Sequence, residues 1–302
     1  MKDKIAAKLH IVRSLLPHYT IAHSPDADDI FMYYAIRMGW VDTGDLVLSN
    51  EAHDIQTLNE AALRGQYEAT AISFALYPHI AQEQALLRTA TSFGQGYGPK
   101  LVRRKDKALK RNFKVALSGE HTTNALLFKL AYPQARPVYM NFLAIEEAVV
   151  TGAVDAGVLI HESILSYSDE LTVEAEIWDI WRTLAKDDLP LPLGGMCLRR
   201  SLPITRAIQL EKILTDAVRI AVAHKGLLGK MLIARNLVRV DEKALEKYLS
   251  LYANDDSVTL SPTHLKAIDT LFKLGYDHGL YPERIDLQNA LIPTEYLEKR
   301  MG

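Results

Sequence analysis

Short runs of β-type residues alternate with helical patterns over the first two thirds of the chain, and polar residues follow each strand-like run. Tyr19 to His23 reads as a strand, Asp28 to Met38 as a helix and Leu46 to Ser49 as a second strand. Ile55 to Arg64 then has helical periodicity closed by Gly65, and Ala69 to Ser73 reads as a third strand. This alternation predicts an α/β fold. A glycine-punctuated stretch, Gly94-Gln95-Gly96-Tyr97-Gly98-Pro99, leads into Lys100 to Arg103 and a basic run ending at Lys107. The change of composition there predicts a crossing between two lobes.

A second α/β series follows. Lys114 to Leu117 reads as a strand, Thr122 to Ala131 as a helix, Val138 to Met140 as a strand and Ala144 to Thr151 as a helix. The buried run Asp155 to Ile160 comes next, and the series ends near Leu198. From Ser201 onward the pattern is almost entirely helical, with amphipathic segments at Arg206 to Ala223, Glu242 to Tyr252 and Pro262 to His278. The tail is expected to pack on the first lobe. This gives a discontinuous lobe 1 of residues 1–103 and 201–302, and a lobe 2 of residues 104–200.

Composition narrows the function more than the fold. The chain has 302 residues, 48% of them hydrophobic, enough for two lobes with a core each. With 35 basic and 37 acidic residues the formal charge is -2, which gives no electrostatic reason to expect nucleic acid or an anionic membrane surface as partner. The single cysteine, Cys197, excludes an internal disulfide and any cysteine-rich metal site, and its apolar neighbours make it an inert core thiol. No apolar stretch reaches the roughly 20 residues of a bilayer span, and charges are spread through the first residues, so the expected compartment is the cytoplasm.

The most informative stretch is Asp155-Ala156-Gly157-Val158-Leu159-Ile160-His161-Glu162-Ser163, a buried run that ends on an imidazole and a carboxylate. Open α/β sheets bind ligands at the carboxyl ends of their strands, so His161 is the candidate acid/base group. A purely structural reading is a helix start with Glu162 in its first turn.

Two strand-to-helix junctions add polar groups. Ser118-Gly119-Glu120-His121-Thr122-Thr123-Asn124 resembles an anion cradle, with hydroxyls beside unpaired backbone N–H groups, although an ordinary threonine cap explains it equally. The Gly-Lys-Ser/Thr ending of a nucleotide loop is missing. In His23-Ser24-Pro25-Asp26-Ala27-Asp28-Asp29-Ile30-Phe31, Ser24 and an aspartate are placed to orient a polar ligand. The aspartates lack the spacing of a calcium loop, so no metal is expected. Ser73 ends the third strand as a further polar candidate, or as a cap for Phe74 to Gln82. Gly94, Gly96 and Gly98 do not have dinucleotide-loop spacing.

Taken in order, these segments resemble the 1,4-dihydroxy-6-naphthoate synthases of the futalosine route to menaquinone. The matching pieces are Ser24-Pro25 with Asp29 and Phe31, Thr57-Leu58-Asn59, Gly96 with Gly98-Pro99, Gly119 with His121-Thr122-Thr123, Ile160-His161-Glu162-Ser163, and Leu189-Pro190-Leu191-Pro192-Leu193-Gly194. The resemblance implies a two-lobed fold like the type II periplasmic binding proteins and cofactor-free cleavage of cyclic dehypoxanthine futalosine. It also implies that His161 is the base and that Ser24, Asp29, Ser73, Gly96, Thr122 and Thr123 bind a substrate bearing a carboxylate. Where the family pattern reads Ser-Pro-Cys-Pro-Asn-Asp-Thr-Phe, this chain has Asp26, Ala27, Asp28 and Ile30, a change of charge at the expected cleft.

The segment before Tyr19 has two readings, a helix packed on lobe 1 or a contact in a homodimer. The rival functions are a cytoplasmic small-carboxylate-binding protein of the same fold and chorismate dehydratase. Fold alone does not separate them. The dehydratase gives no reason for His161-Glu162-Ser163, and the synthase ranks first.

Overall fold

The computed structural model describes residues 17–238 and 240–294, apart from the side chains of Asp28 and Glu162. Residues 1–16, which carry most of the segment read as a packed helix or dimer contact, lie outside the described residues.

The chain begins with β1 (His18–His23), α1 (Ala27–Arg37), β2 (Val47–Ala52), α2 (Ile55–Leu63) and β3 (Ala69–Ser73). β1 pairs in parallel with β2 and β3, the geometry that strand–helix–strand connections produce. Every residue of β3 is buried, as a central strand covered on both faces requires. The segment after Ser73 is a 3-10 turn, Phe74–His79, shorter than the expected run to Gln82. Two short strands follow, β4 (Gln84–Leu86) and β5 (Ser92–Gly94).

The second unit contains β6 (Lys100–Arg104), β7 (Lys114–Leu117), α3 (Thr123–Ala131), β8 (Arg136–Tyr139), α4 (Ile145–Val150), β9 (Ala156–Leu159), β10 (Leu171–Glu176) and α5 (Ile177–Ala185). β11 (Leu191–Arg199) then returns to the first sheet. The tail is α6 (Ile204–Ala223), α7 (Lys225–Ala234), α8 (Glu242–Tyr252), α9 (Asp255–Val258), α10 (Pro262–Asp277) and α11 (Leu287–Ala290).

Two mixed sheets result. The first has the order β2-β1-β3-β11-β4 with β5 also on β11, and the second the order β10-β6-β9-β7-β8. Sheet membership therefore changes before Lys100 and again before Leu191, earlier than the divisions expected after residues 103 and 200. The tail covers the first sheet's helices: α6 packs on α1, and the Glu211 carboxylate accepts from the Arg88 backbone N–H at 2.8 Å. Among the described residues no helix is long and apolar enough to cross a membrane.

Helix α4 sits directly on β9. A Cβ on Gly157 would lie 2.5 Å from Ile145 Cγ2 and 2.9 Å from Val149 Cγ2, so only glycine admits this contact. That packing fixes the strand from which His161 emerges.

Candidate active-site cleft

The strand read as running to His161 stops at Leu159, and His161 opens a 3-10 turn, His161–Ile164. Its φ is +55°, a left-handed value uncommon for a residue with a side chain and costing of order 1 kcal/mol. The reversal ends the strand's alternation of faces at this residue. The ring of Phe142 packs edge-on against the imidazole, with centroids 4.9 Å apart. Phe142 had no signal in the sequence, because its role depends on a contact across 19 positions.

Opposite His161 lies the turn between β1 and α1. The carboxylate of Asp26, 1% exposed, has Oδ2 at 2.7 Å from His161 Nδ1. The Ser24 hydroxyl donates to the same oxygen. Two donors converging on one oxygen is the behaviour of a carboxylate acting as acceptor. Asp26 occupies the N-cap position of α1 with an extended backbone, φ -77° and ψ 158°. The other carboxylate, Asp29, accepts from the Ser24 backbone N–H at 2.7 Å. Burial pushes the Asp29 carboxyl above the ordinary range, against the opposing pull of His23 and that hydrogen bond.

His23, fully buried at the end of β1, locks this turn. Its Nδ1 lies 2.7 Å from the Ser24 carbonyl and its Nε2 3.0 Å from Asn50 Nδ2, while its ring stacks on Tyr33.

The amino end of α3 faces the same space. The Thr122 hydroxyl accepts from the Ala125 N–H at 3.2 Å and donates to the Gly119 carbonyl at 2.9 Å, so Thr122 is the helix cap. The Thr123 hydroxyl accepts from the Ala75 N–H at 3.3 Å and donates to the Leu193 carbonyl at 2.9 Å, which ties the second unit to the first. Both hydroxyls are thus occupied, and neither is the bare donor that the anion-cradle reading assumed. The groups with unused capacity are neighbours: Ser118 Oγ and Asn124 Oδ1 are buried and have no hydrogen-bond partner among the described residues. Both line the cleft.

The cavity between the sheets has a volume of about 140 Å³. Ser24, Asp29, Ser73, Thr122, Thr123 and His161 all line it, with Asp26 among them, so the structure brings together every predicted polar residue. Ser73 stands at the N-cap of the Phe74–His79 turn without a side-chain cap bond; its backbone N–H and hydroxyl are both held by the Asn59 side chain, at 3.0 and 3.2 Å. Gly96 is the exception among the predicted site residues. It is exposed, lies in a turn with φ +73°, and is absent from the lining. The cavity's inner wall is apolar, with Phe31, Met32, Ile55 and Val218.

Cys197 is buried away from this chemistry, its thiol directed at the Thr70 carbonyl and pushed up to about 12 by burial. Among the described residues no group of three or more histidine, cysteine or acidic side chains is arranged to hold a metal ion.

Comparison with known proteins agrees with this architecture. A protein from Archaeoglobus fulgidus superposes with a TM-score of 0.79 at 32% identity, covering 87% of this chain and 98% of that one. The alkanesulfonate-binding protein SsuA of Xanthomonas axonopodis, solved with MOPS bound, superposes with a TM-score of 0.68 at 12% identity, covering 91% of this chain and 97% of that one. At that identity the likeness shows the two-lobed binding-protein fold alone. Two relatives are named 1,4-dihydroxy-6-naphtoate synthase. That of Thermus thermophilus is 28% identical over 86% of this chain and 94% of its own length. That of Streptomyces coelicolor is 30% identical over 87% of this chain and 94% of its own length. Residues 19–277 match the family described as menaquinone biosynthesis, and the chain, with its cleft between two sheets, belongs to that family.

Proposed function

We propose that this protein is a 1,4-dihydroxy-6-naphthoate synthase, a carbon–carbon lyase that cleaves cyclic dehypoxanthine futalosine with His161 as general base and without a cofactor. The observation that carries this reading is the position of His161 in the cleft, with Nδ1 2.7 Å from a buried carboxylate. With the proton on Nδ1, the lone pair is on Nε2, the atom that takes a proton from a substrate hydroxyl. Loss of that proton starts carbon–carbon cleavage, and aromatisation of the naphthalenediol drives it.

The amino terminus of α3 would hold the substrate carboxylate. The Ser118 hydroxyl supplies a donor there, reinforced by the positive end of the helix dipole. Phe31, Ile55 and Val218 offer an apolar wall for the carbocyclic part. Contacts from both units enclose the cleft, which excludes water from the reacting enolate. The proposed compartment is the cytoplasm, in keeping with a free, buried cysteine and with biosynthetic relatives.

The test is to incubate the purified protein with cyclic dehypoxanthine futalosine in the presence of a chelator and to look for dihydroxynaphthoate by mass spectrometry. Product formation supports both the reaction and its independence of metal. A thermal shift with the substrate but no product would replace the reading with that of a binding protein.

A further inference from the structure

We propose that Asp26 is the positioning residue for His161, and that it reaches the imidazole only when the two lobes are closed. The inference rests on the reading of His161 as the base. Its structural support is separate. Asp26 belongs to the β1–α1 turn of the first sheet, whereas His161 follows β9 of the second. The 2.7 Å contact between them therefore spans the cleft. The Thr123 hydroxyl makes the same crossing, to the Leu193 carbonyl and the Ala75 N–H, so the contact belongs to a closed arrangement with more than one point of attachment.

The local geometry of Asp26 is that of a residue committed to this contact. Asp26 stands at the N-cap of α1 with an extended backbone. Its Oδ2 accepts from Ser24, which orients the carboxylate, and meets the imidazole. The order is serine, aspartate, histidine, with the carboxylate in the middle. Ser24 is thereby an orienting group rather than a nucleophile activated by histidine.

A carboxylate on Nδ1 fixes the ring's tautomer and orientation and stabilises the imidazolium that forms on proton transfer. In that step the substrate O–H bond breaks, an Nε2–H bond forms, and the new positive charge faces Asp26. Among the described side chains, Asp29 on α1 and His23 at the end of β1 also interact with this cluster. Opening of the lobes would separate acceptor from donor and leave the base without its partner, so the base is assembled by the same motion that encloses the substrate.

Nuclear magnetic resonance of the full-length protein tests this without depending on turnover. The His161 ring signals are assigned by their loss in His161→Gln, and titrated in the wild type and in Asp26→Asn. The expected result is a pKa lower by about one unit or more in Asp26→Asn, because the charge that favours the imidazolium is gone. The acid limb of kcat/KM should move to lower pH with it, and kcat should fall about a hundredfold or more with little change in KM. An unchanged His161 titration would overturn the proposal. If Asp26→Asn does not fold, the ring nitrogen shifts of the wild type decide: the Nδ1–H tautomer supports the pairing, and the Nε2–H tautomer overturns it. Absence of turnover by the wild type would overturn the reaction assigned to the cleft, while the titration would still report whether Asp26 pairs with His161.

Discussion

At the residue scale, the site depends on a single imidazole held from three directions. Phe142 packs edge-on against it, Asp26 engages Nδ1, and its own backbone adopts φ +55°. Replacing His161 with asparagine keeps a polar side chain but removes the imidazole. The expected outcome is a fall in kcat of ~10² to 10⁴-fold, with ligand affinity changed only a few-fold. Steady-state assay together with calorimetric titration checks this, and near-normal turnover would remove His161 from the mechanism. His161 was legible in the sequence because a buried apolar run ended on it. Asp26 was visible only as a departure in charge, since its partner lies 135 positions away and nothing local marks a contact across a cleft.

At the element scale, the junction between β7 and α3 carries a constraint that the sequence hinted at without explaining. A Cβ on Gly119 would lie 2.1 Å from Gln56 Oε1 and 2.9 Å from Gln56 Cβ. The amide end of Gln56 can rotate away, but its Cβ cannot, so glycine is needed where α2 of one lobe meets the loop before α3 of the other. Gly119→Ala should therefore hinder closure rather than folding. Overpacking of this kind costs about 1 to 3 kcal/mol, so ligand binding should weaken about tenfold while the melting temperature of the free protein stays the same. Equal affinity in the variant would show that the lobes do not close onto this contact. The strands of strongest apolar character, β3 and β7, and the helices α8 and α10 were readable to within a residue at most ends. β4, β5, β10 and α5 are not among the expected elements. The first three are short or half-exposed strands whose pairing partners are distant in sequence. Helix α5 buries Ile177, Trp178 and Trp181, with the Trp181 indole donating to the Leu189 carbonyl at 2.8 Å, and the spacing of Ile177, Ile180, Trp181 and Leu184 is its local helical signal.

At the scale of the whole molecule, the helical tail is joined to the segment after β4 through a partly buried ion pair. Glu211 on α6 accepts from the Arg88 N–H at 2.8 Å and lies 3.5 Å from the Arg88 guanidinium. Burial raises the Glu211 carboxyl above its ordinary range, and the contacts with Arg88 only partly oppose this. A raised folded-state pKa means that the stabilising contribution is complete below the unfolded value of about 4.3 and is lost as pH rises through the folded value. Glu211→Gln removes that dependence. The melting temperature of the variant relative to the wild type should thus increase between about pH 4 and pH 7, with the two close to each other at the acid end. Parallel melting profiles across that range would show that the contacts with Arg88 cancel the burial penalty, and a relative melting temperature that falls with pH would show that they outweigh it.

The sequence by itself determined the α/β class, the helical tail, the family resemblance and the identity of most polar groups in the cleft. These follow from periodicity, from residue type at strand ends and from local spacing, all of which act within a few residues. Tertiary structure decided which of those groups meet. It engaged the hydroxyls of Thr122 and Thr123 in capping and cross-lobe bonds, left Ser118 and Asn124 as the available polar groups, kept Gly96 out of the lining and set Asp26 against His161. The physical reason is that a cleft is made by two sheets whose approach depends on packing and closure. Hydrogen bonds across it join residues whose separation in the chain carries no local signal.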